Sequence, residues 1–151
     1  IIRFSMAFGK TMNGNYAGSN DLLQLIFDSK EVELRKDIQA TARILYTINH
    51  YEQDNLLLIK HVINTAKHFL KNNDSYYETE QVFMKYITRL SKEVGKKEKL
   101  AVYLKMEEEV TIIFANNEKE RTAFEHLHLL EWIHAKINGI SFVDALTDRL
   151  V

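Results

Sequence analysis

The sequence predicts an all-α protein built of antiparallel helical hairpins, and three observations support this fold class. The 151 residues contain no proline and only five glycines, whereas sheet proteins need many turns that usually draw on both. Between the turn-forming residues, apolar side chains recur at helical rather than alternating spacing. A chain of this length suits one domain with a real core, so we expect residues 1–151 to form a single helical domain.

The turn-forming residues divide the chain into about eight helices, which pair naturally as four antiparallel hairpins. Asparagine, aspartate and glycine clusters separate the helices, and Ser141 with Asp144 forms a variant of the capping box before the last one. The β-branched run at 110–114 would suit a strand, but the acidic residues before it favour a helix. The predicted helices are 1–12, 20–29, 32–52, 56–71, 77–94, 98–115, 119–137 and 142–150.

The longest predicted helices carry apolar residues on two sides. A helix that is apolar on two sides has neighbours on two sides, as in a stacked array. Because a two-helix hairpin cannot bury both sides alone, we predict stacked hairpins, an arrangement known as an α-solenoid. In the predicted helix 32–52, one stripe is Leu34, Ile38, Leu45 and Ile48, and the other is Ala40, Ile44, Thr47 and Tyr51.

The first hairpin resembles a tetratricopeptide (TPR) repeat. The small residue Ala7, the Gly-Asn-Tyr turn at 14–16 and the apolar residues Leu23 and Ile26 match the pattern of that repeat. Ser19 stands where the repeat prefers alanine, and no proline closes the unit.

A wider resemblance covers most of the chain and points to the C-terminal part of a group of bacterial TPR-like proteins without assigned chemistry. The segments that are similar to this group are ELRKDIQATARILYTINHYEQDN, LIKHVINTAKHFLKNN, YYETEQVFMKYITRLSK and FEHLHLLEWIHAKINGISFVDAL. The resemblance implies a TPR-like α-solenoid, a further array before Ile1 and binding as the function. It implies no catalytic residues. The uncapped start at Ile1, which resembles the middle of a helix, also favours a longer chain.

Composition excludes several classes of function. Twenty basic side chains against twenty-one acidic ones provide no global field to attract nucleic acid or an anionic membrane. The absence of cysteine excludes disulfides and thiolate chemistry, and no apolar run reaches the ~18 residues of a membrane span. Phosphate-binding glycine loops and nucleophile turns are also absent. We therefore expect no nucleic-acid or membrane partner, and a cytoplasmic location is favoured.

The stretch FEHLHLLEWIHAK at 124–136 contains two Glu-x-x-His pairs, a spacing that helical di-iron proteins use. These are Glu125 with His128 and Glu131 with His134. At about 100° per residue, the four side chains spread half-way round a helix and cannot converge on one ion. No other predicted helix offers a Glu-x-x-His pair. We therefore expect no metal or other cofactor, with a metal-dependent enzyme or sensor as the alternative.

Trp132 shares one face of the same predicted helix with charged side chains, within an arc of about 80°. A lone tryptophan among charges is typical of an anchor for a partner protein. It could equally pack against Phe142 or Leu146 of the last helix. The other residues on this face are Glu125, His128 and Lys136.

Polar stripes on the first helices of two hairpins predict a binding groove. In TPR-like stacks the first helix of each pair lines the concave side, so these stripes would form a basic groove for an acidic peptide or a C-terminal carboxylate. Solvated helix faces are the alternative. The predicted partner-binding residues in these stripes are Lys36, Gln39, Arg43, Tyr46 and His50 on 32–52, and Lys85, Arg89 and Lys92 on 77–94.

Together these observations predict a non-catalytic helical-repeat scaffold that binds a peptide or protein segment in a groove. A purely structural end-cap of a longer repeat array is a further alternative, suggested by the polar outer face of the last helix. The predicted partner-binding set comprises the two polar stripes and Trp132.

Overall fold

The computed structural model describes residues 2–29, 35–72 and 77–149, and every regular element in these ranges is an α-helix. This confirms the predicted all-α class, and the run at 110–114 lies inside a helix. Several predictions fall outside the described residues: the turn residues 73–75 and the helix residues 1, 32–34 and 150. The helices are α1 (Ile2–Met12), α2 (Tyr16–Asp28), α3 (Lys36–Glu52), α4 (Leu56–Asn72), α5 (Glu78–Leu90), α6 (Lys96–Asn116), α7 (Glu118–Ala123), α8 (Leu129–Asn138) and α9 (Phe142–Arg149).

The predicted continuous helix at 119–137 is wrong, because the chain turns at 124–128 between α7 and α8. Phe124 and Leu127, both within this turn, are buried in the core. Phe124 packs edge-on against Tyr77 at a centroid distance of 5.3 Å. His128 adopts a left-handed backbone conformation with φ of 55°, which side chains other than glycine adopt infrequently. The burial of two large apolar side chains thus overrides a sequence with good local helix propensity.

Helix α2 begins earlier than predicted, at Tyr16 rather than residue 20. The Asn15 side chain accepts a hydrogen bond from the backbone N–H of Gly18 at 2.9 Å and so caps the helix. The turn before it contains Gly14 with a φ of +77°, a conformation that suits glycine. Residues 14–16 therefore form both the turn and the start of the second helix.

Helices that follow one another in the chain pack against each other from α1 to α6, and α3 lies at the centre. It contacts α1, α2, α4, α5 and α7. Both predicted apolar stripes of this helix are used, since Ile44, Leu45 and Ile48 are fully buried. Within the described ranges, no helix has the length and apolar character needed to cross a lipid bilayer.

The last three helices fold back over the first ones. Phe8 of α1 lies 5.7 Å from Phe142 of α9 in an edge-to-face contact, and Thr41 of α3 donates a hydrogen bond to the Ala123 carbonyl of α7 at 3.2 Å. Helix α8 packs mainly against α6 and α9. The C-terminal segment therefore covers one side of α1 and α3.

Glu120 of α7 caps the N-terminus of α5. Its carboxylate accepts hydrogen bonds from the backbone N–H groups of Glu78 and Thr79, at 2.8 and 3.2 Å, and from the Thr79 hydroxyl at 2.8 Å. Tyr77, at the N-cap position of α5, provides no side-chain cap. A buried carboxylate from a distant helix thus satisfies two otherwise unpaired N–H groups and places negative charge at the positive end of the helix dipole.

We expect Glu120→Ala to lower the free energy of unfolding by about 1–3 kcal/mol, because buried backbone donors lose their partner. Urea denaturation followed by circular dichroism would measure this loss. Glu118→Ala is the matched control, since that side chain lies on the same helix and is 85% exposed, and it should change stability by less than about 0.5 kcal/mol. Equal effects of the two substitutions would contradict the capping role.

Candidate functional site

A cavity of about 380 Å³ lies between α2, α3 and α4. It contains three of the predicted partner-binding residues, all from α3. Its walls combine amide, hydroxyl and imidazole groups with apolar and aromatic side chains. The lining residues are Gln24 and Phe27 of α2, Gln39, Arg43, Tyr46 and Thr47 of α3, and His61, Val62, Thr65 and Ala66 of α4. We call this the α2–α4 cavity.

Helical spacing explains why α3 presents these side chains together. Gln39, Arg43 and Tyr46 are four and three residues apart, so they lie within an arc of about 60°. Thr41 and Glu52 lie on the opposite side of the helix, about 180° away, and they contact α7 and α8. The predicted polar stripe is therefore real, but it faces the gap between α2 and α4.

Aromatic rings form one end of the cavity. The row of rings continues along α3 to His50, which lies beyond the cavity wall. Phe27 and Tyr46 meet edge-to-face at a centroid distance of 5.5 Å, and Tyr46 meets His50 at 4.7 Å. His50 Nε2 lies 3.3 Å from Asn20 Nδ2. Because Nδ2 of an amide is a donor, Nε2 must accept, and the hydrogen of the neutral ring is on Nδ1.

The imidazole of His50 is held neutral by its surroundings. Burial lowers the pKa of His50, because the charged ring would lose its hydration. Its Nδ1 atom is buried and has no hydrogen-bond partner among the described residues. The Asn20 amide that faces Nε2 is itself fixed, since its oxygen accepts from Asn49 Nδ2 at 2.8 Å. His50 therefore contributes a neutral aromatic group rather than a positive charge.

Arg43 contributes less positive charge to the cavity than the sequence indicated. Its guanidinium donates two hydrogen bonds to the Glu80 carboxylate of α5, at 2.6 and 3.2 Å. The side chains are 11% and 0% exposed, respectively. Burial raises the pKa of Glu80, and this effect exceeds the lowering by Arg43. The pair fixes α3 against α5 and largely cancels the charge at the cavity wall.

Helix α4 supplies the opposite wall, and none of its residues was among the predicted partner-binding residues. Thr65 and His61 lie at the rim, while Val62 and Ala66 are buried at 8% and 5% exposure. Leu58, 45% exposed, lies on the same face as His61 because the two are three residues apart. The predicted groove used the first helix of each hairpin only, although the amphipathic pattern of α4 is visible in the sequence.

The basic residues of α5 lie elsewhere, so the prediction that both stripes line one groove is wrong. Lys85 pairs with Glu109 of α6 at 3.0 Å, with both side chains about half-exposed, and the Arg89 guanidinium lies 5.3 Å from the Tyr86 ring centre. Lys92 is exposed. Glu80 faces α3, whereas Lys85 and Arg89 lie about 140–180° away round α5. They form a solvated face.

Lys36 lies at the start of α3 and is exposed. It precedes Gln39 by three residues and so lies one turn from the cavity on nearly the same face of the helix. The structure therefore places Lys36 beside the α2–α4 cavity without making it part of the wall.

Trp132 is not available as a surface anchor, because the side chain is only 2% exposed. The indole meets the rings of Tyr51, Phe83 and Tyr103 at centroid distances of 6.1–6.2 Å. Its Nε1–H donates to Glu52 Oε1 at 3.2 Å. The prediction of a partner-binding role is corrected: this tryptophan joins α8 to α3, α5 and α6.

A smaller cavity of about 200 Å³ lies beside Trp132, between α1, α3, α8 and α9. Its charged groups are Glu52 and Lys136, which form an ion pair with each other. Lys136 also lies over the Tyr51 and Trp132 rings, at 5.7 and 5.9 Å. Since both charges already have partners within the chain, this cavity is a weaker candidate for a ligand site than the α2–α4 cavity.

The two Glu-x-x-His pairs do not form a joint site. Glu125 and His128 lie within the turn at 124–128, whereas Glu131 and His134 lie in α8. His128 packs against Phe8 at 5.6 Å. His134 contacts the Asn138 amide at 3.2 Å, and Glu131 is 7% exposed. In the part of the chain that the structure describes, no three histidine or acidic side chains are grouped so as to hold a metal ion.

Comparisons with known proteins do not identify a family. No protein-family model matches the chain, and neither the curated proteins nor the solved structures contain a significant match. The α2–α4 cavity is therefore the feature of this chain that bears most directly on its function.

Proposed function

We propose that this protein is a non-catalytic, TPR-like helical scaffold that binds a segment of a partner protein in the α2–α4 cavity. The observation that carries the proposal is the cavity itself, in which two glutamine side chains accompany an apolar and aromatic wall. This combination suits a peptide, because amides pair with its backbone and apolar surface receives a side chain.

The packing of the first six helices supports the TPR-like part of the proposal. Helices α1 with α2, α3 with α4, and α5 with α6 pack as consecutive pairs, and α3 also contacts α1 and α5. Contacts between successive units of this kind are typical of stacked repeats. Helices α7 to α9 fold back over α1 and α3 and do not extend the stack as a fourth equivalent hairpin.

Each wall of the cavity has a role in the proposed binding. Phe27 and Val62 would receive one apolar side chain, and about 380 Å³ suffices for a residue rather than for a large cofactor. Gln24 and Gln39 each offer an amide donor and an acceptor for the peptide backbone. Lys36 at the start of α3 would favour an acidic residue next to the apolar one, aided by the helix dipole.

We expect Thr65→Trp to weaken peptide binding at least about tenfold, equivalent to about 1.4 kcal/mol, because the indole would occupy the cavity. Thr65 is exposed at the rim, so the substitution should not impair folding. The peptide ligand would be selected from a random phage-displayed library on the wild-type protein. Its affinity for each variant would then be measured by fluorescence anisotropy.

Lys92→Trp is the matched control, since it places the same side chain at an exposed position in the turn after α5 and should leave the affinity unchanged. The selected peptides should combine an apolar residue with an acidic neighbour. Binding that is insensitive to Thr65→Trp but lost in Arg89→Glu would contradict the proposal, because it would move the site to the solvated face of α5.

A further inference from the structure

Helices α8 and α9 form a segment that the turn at 124–128 joins to the rest of the chain. Helix α7, which caps the start of α5, meets α3 where the Ala123 carbonyl accepts a hydrogen bond from Thr41. Helix α8 then runs along α3, because Lys136 pairs with Glu52, about 16 Å further along that helix than Thr41. The turn therefore redirects the chain at the point where α7 meets α3.

Three helices form a socket that receives Trp132 and Lys136 of α8. The residues of this α8 socket are Tyr51 and Glu52 of α3, Phe83 of α5 and Tyr103 of α6. Beside the socket, α8 is loosely packed, since gaps of about 200, 340 and 470 Å³ separate it from α1, α6, α7 and α9. Release of α8 therefore disrupts less close packing than release of a core helix such as α3.

The turn at 124–128 has a sequence that favours a helix. No glycine or proline occurs between Gly95 and Gly139, and residues 118–138 are rich in glutamate, leucine, alanine and lysine, which are strong helix formers. His128 holds a left-handed φ of 55°, a conformation that is costly for residues with a side chain. Residues 118–138 can therefore also form one uninterrupted helix, about 31 Å long.

An uninterrupted helix would carry α8 past α3 instead of along it. Helix α7 stays in place through the contacts of Glu120 with α5, so α8 could not reach the socket of its own chain. Phe124 and Leu127 would lie on the same face as Glu120, within an arc of about 60°. A strained hinge of this kind favours the exchange of a terminal segment between two identical chains.

We propose that two copies of this chain exchange their α8–α9 segments, with residues 124–128 as the hinge. The α8 socket of each copy then holds Trp132 and Lys136 of the other. The exchanged dimer reproduces these contacts, and His128 leaves its left-handed conformation because the hinge becomes helical. The two hinge helices bury Phe124 and Leu127 against each other at the two-fold axis.

A second copy is the partner that the socket specifies. The socket receives a tryptophan and, four residues later, a lysine, while Phe8 of α1 contacts Phe142 of α9. Another copy of the chain supplies this combination with the same order and spacing. The α2–α4 cavity lies on the other side of α3 and stays open in the dimer, so the proposal does not rest on peptide binding.

Reciprocal charge substitutions at the Glu52–Lys136 ion pair distinguish segment exchange from other kinds of association. Glu52→Lys alone and Lys136→Glu alone each place like charges together, both in the monomer and in the homodimer. If the two variants are unfolded in urea, mixed and refolded, each socket of the exchanged heterodimer meets an α8 of opposite charge. We expect this heterodimer to be at least about tenfold more stable to dissociation than either homodimer by sedimentation velocity.

The double variant E52K/K136E is the matched control, because it restores the ion pair within one chain and should associate as wild type does. The test does not require either single variant to fold alone, since the mixture restores both ion pairs. Co-refolded variants that show no preference for the heterodimer would overturn the proposal. A wild-type protein that refolds as a monomer at every concentration would overturn it as well.

Glycine at two positions of the turn tests the hinge. His128→Gly suits the left-handed backbone of the monomer, although it removes the ring that contacts Phe8. His126→Gly is the control, because it weakens the uninterrupted helix equally, whereas His126 is 71% exposed and has no left-handed backbone. We expect His128→Gly to weaken the dimer at least about tenfold more than His126→Gly. Equal effects would place the dimer contact outside this hinge and overturn the proposal.

Discussion

Trp132→Ala is expected to lower the free energy of unfolding by about 3–5 kcal/mol, the range for removing a large buried aromatic side chain. The indole is 2% exposed and joins α8 to three other helices through its contacts with Tyr51, Phe83 and Tyr103. The substitution leaves a cavity among these rings. It also removes the indole N–H that donates a hydrogen bond to the Glu52 carboxylate.

Urea denaturation monitored by circular dichroism would measure this loss through the midpoint and slope of the transition. Trp132→Phe keeps an aromatic ring but not the hydrogen bond to Glu52, so it should be less destabilising than Trp132→Ala. Leu57→Ala is the control, because Leu57 is 90% exposed and should contribute less than about 0.5 kcal/mol. If Trp132→Ala lowered the free energy of unfolding by no more than Leu57→Ala does, the surface-anchor interpretation would be favoured instead.

Arg43→Met should lower the free energy of unfolding by about 3–5 kcal/mol at neutral pH, because it leaves the buried Glu80 carboxylate without its charged partner. Glu80 is fully buried, and Arg43 supplies both of its described hydrogen bonds. Met approximates the volume of the arginine stem, so the loss should report mainly the uncompensated charge. Urea denaturation at several pH values would measure it.

The destabilisation by Arg43→Met should depend on pH, with a sign set by Glu80. Without Arg43 the folded-state pKa of Glu80 rises further, because burial is no longer opposed by a positive charge. Below the ordinary pKa of 4.5, Glu80 is protonated in both the folded and unfolded states. As pH rises above that value, the unfolded chain releases the proton more readily, so the variant loses stability relative to wild type.

The double variant Arg43→Met, Glu80→Leu is the corresponding control, since it removes both charges from the interface. Replacing a buried ion pair by apolar side chains is often neutral or stabilising. We therefore expect the double variant to be more stable than Arg43→Met and to lose the added pH dependence. If Arg43→Met were equally destabilising at acidic and neutral pH, lost packing rather than the Glu80 charge would be the cause.

The sequence was sufficient to predict the helical class and most turns, because those depend on local residues. Glycine and asparagine mark the turns at 13–15, 53–55 and 138–140, which the structure contains. The break between α7 and α8 could not be predicted in this way. It depends on the burial of Phe124 against Tyr77, a contact between residues far apart in the chain.

The candidate site was predictable only in part, for a related reason. Helical periodicity placed Gln39, Arg43 and Tyr46 on one face of α3, and the structure confirms that they line the same cavity. Periodicity alone does not say how a helix is rotated relative to its neighbours. The walls from α2 and α4, and the pairing of Arg43 with Glu80, result from tertiary packing.

The capping of α5 by Glu120 limits how far the chain can behave as a set of interchangeable modules. In a linear repeat array each unit depends on its immediate neighbours alone, so units can be deleted, duplicated or exchanged. Here the start of α5 depends on a carboxylate some forty residues later, and Phe8 near one end contacts Phe142 near the other. Exchanging a single hairpin by recombination would therefore also disrupt contacts made by helices outside that hairpin. This favours inheritance of the whole segment as one unit.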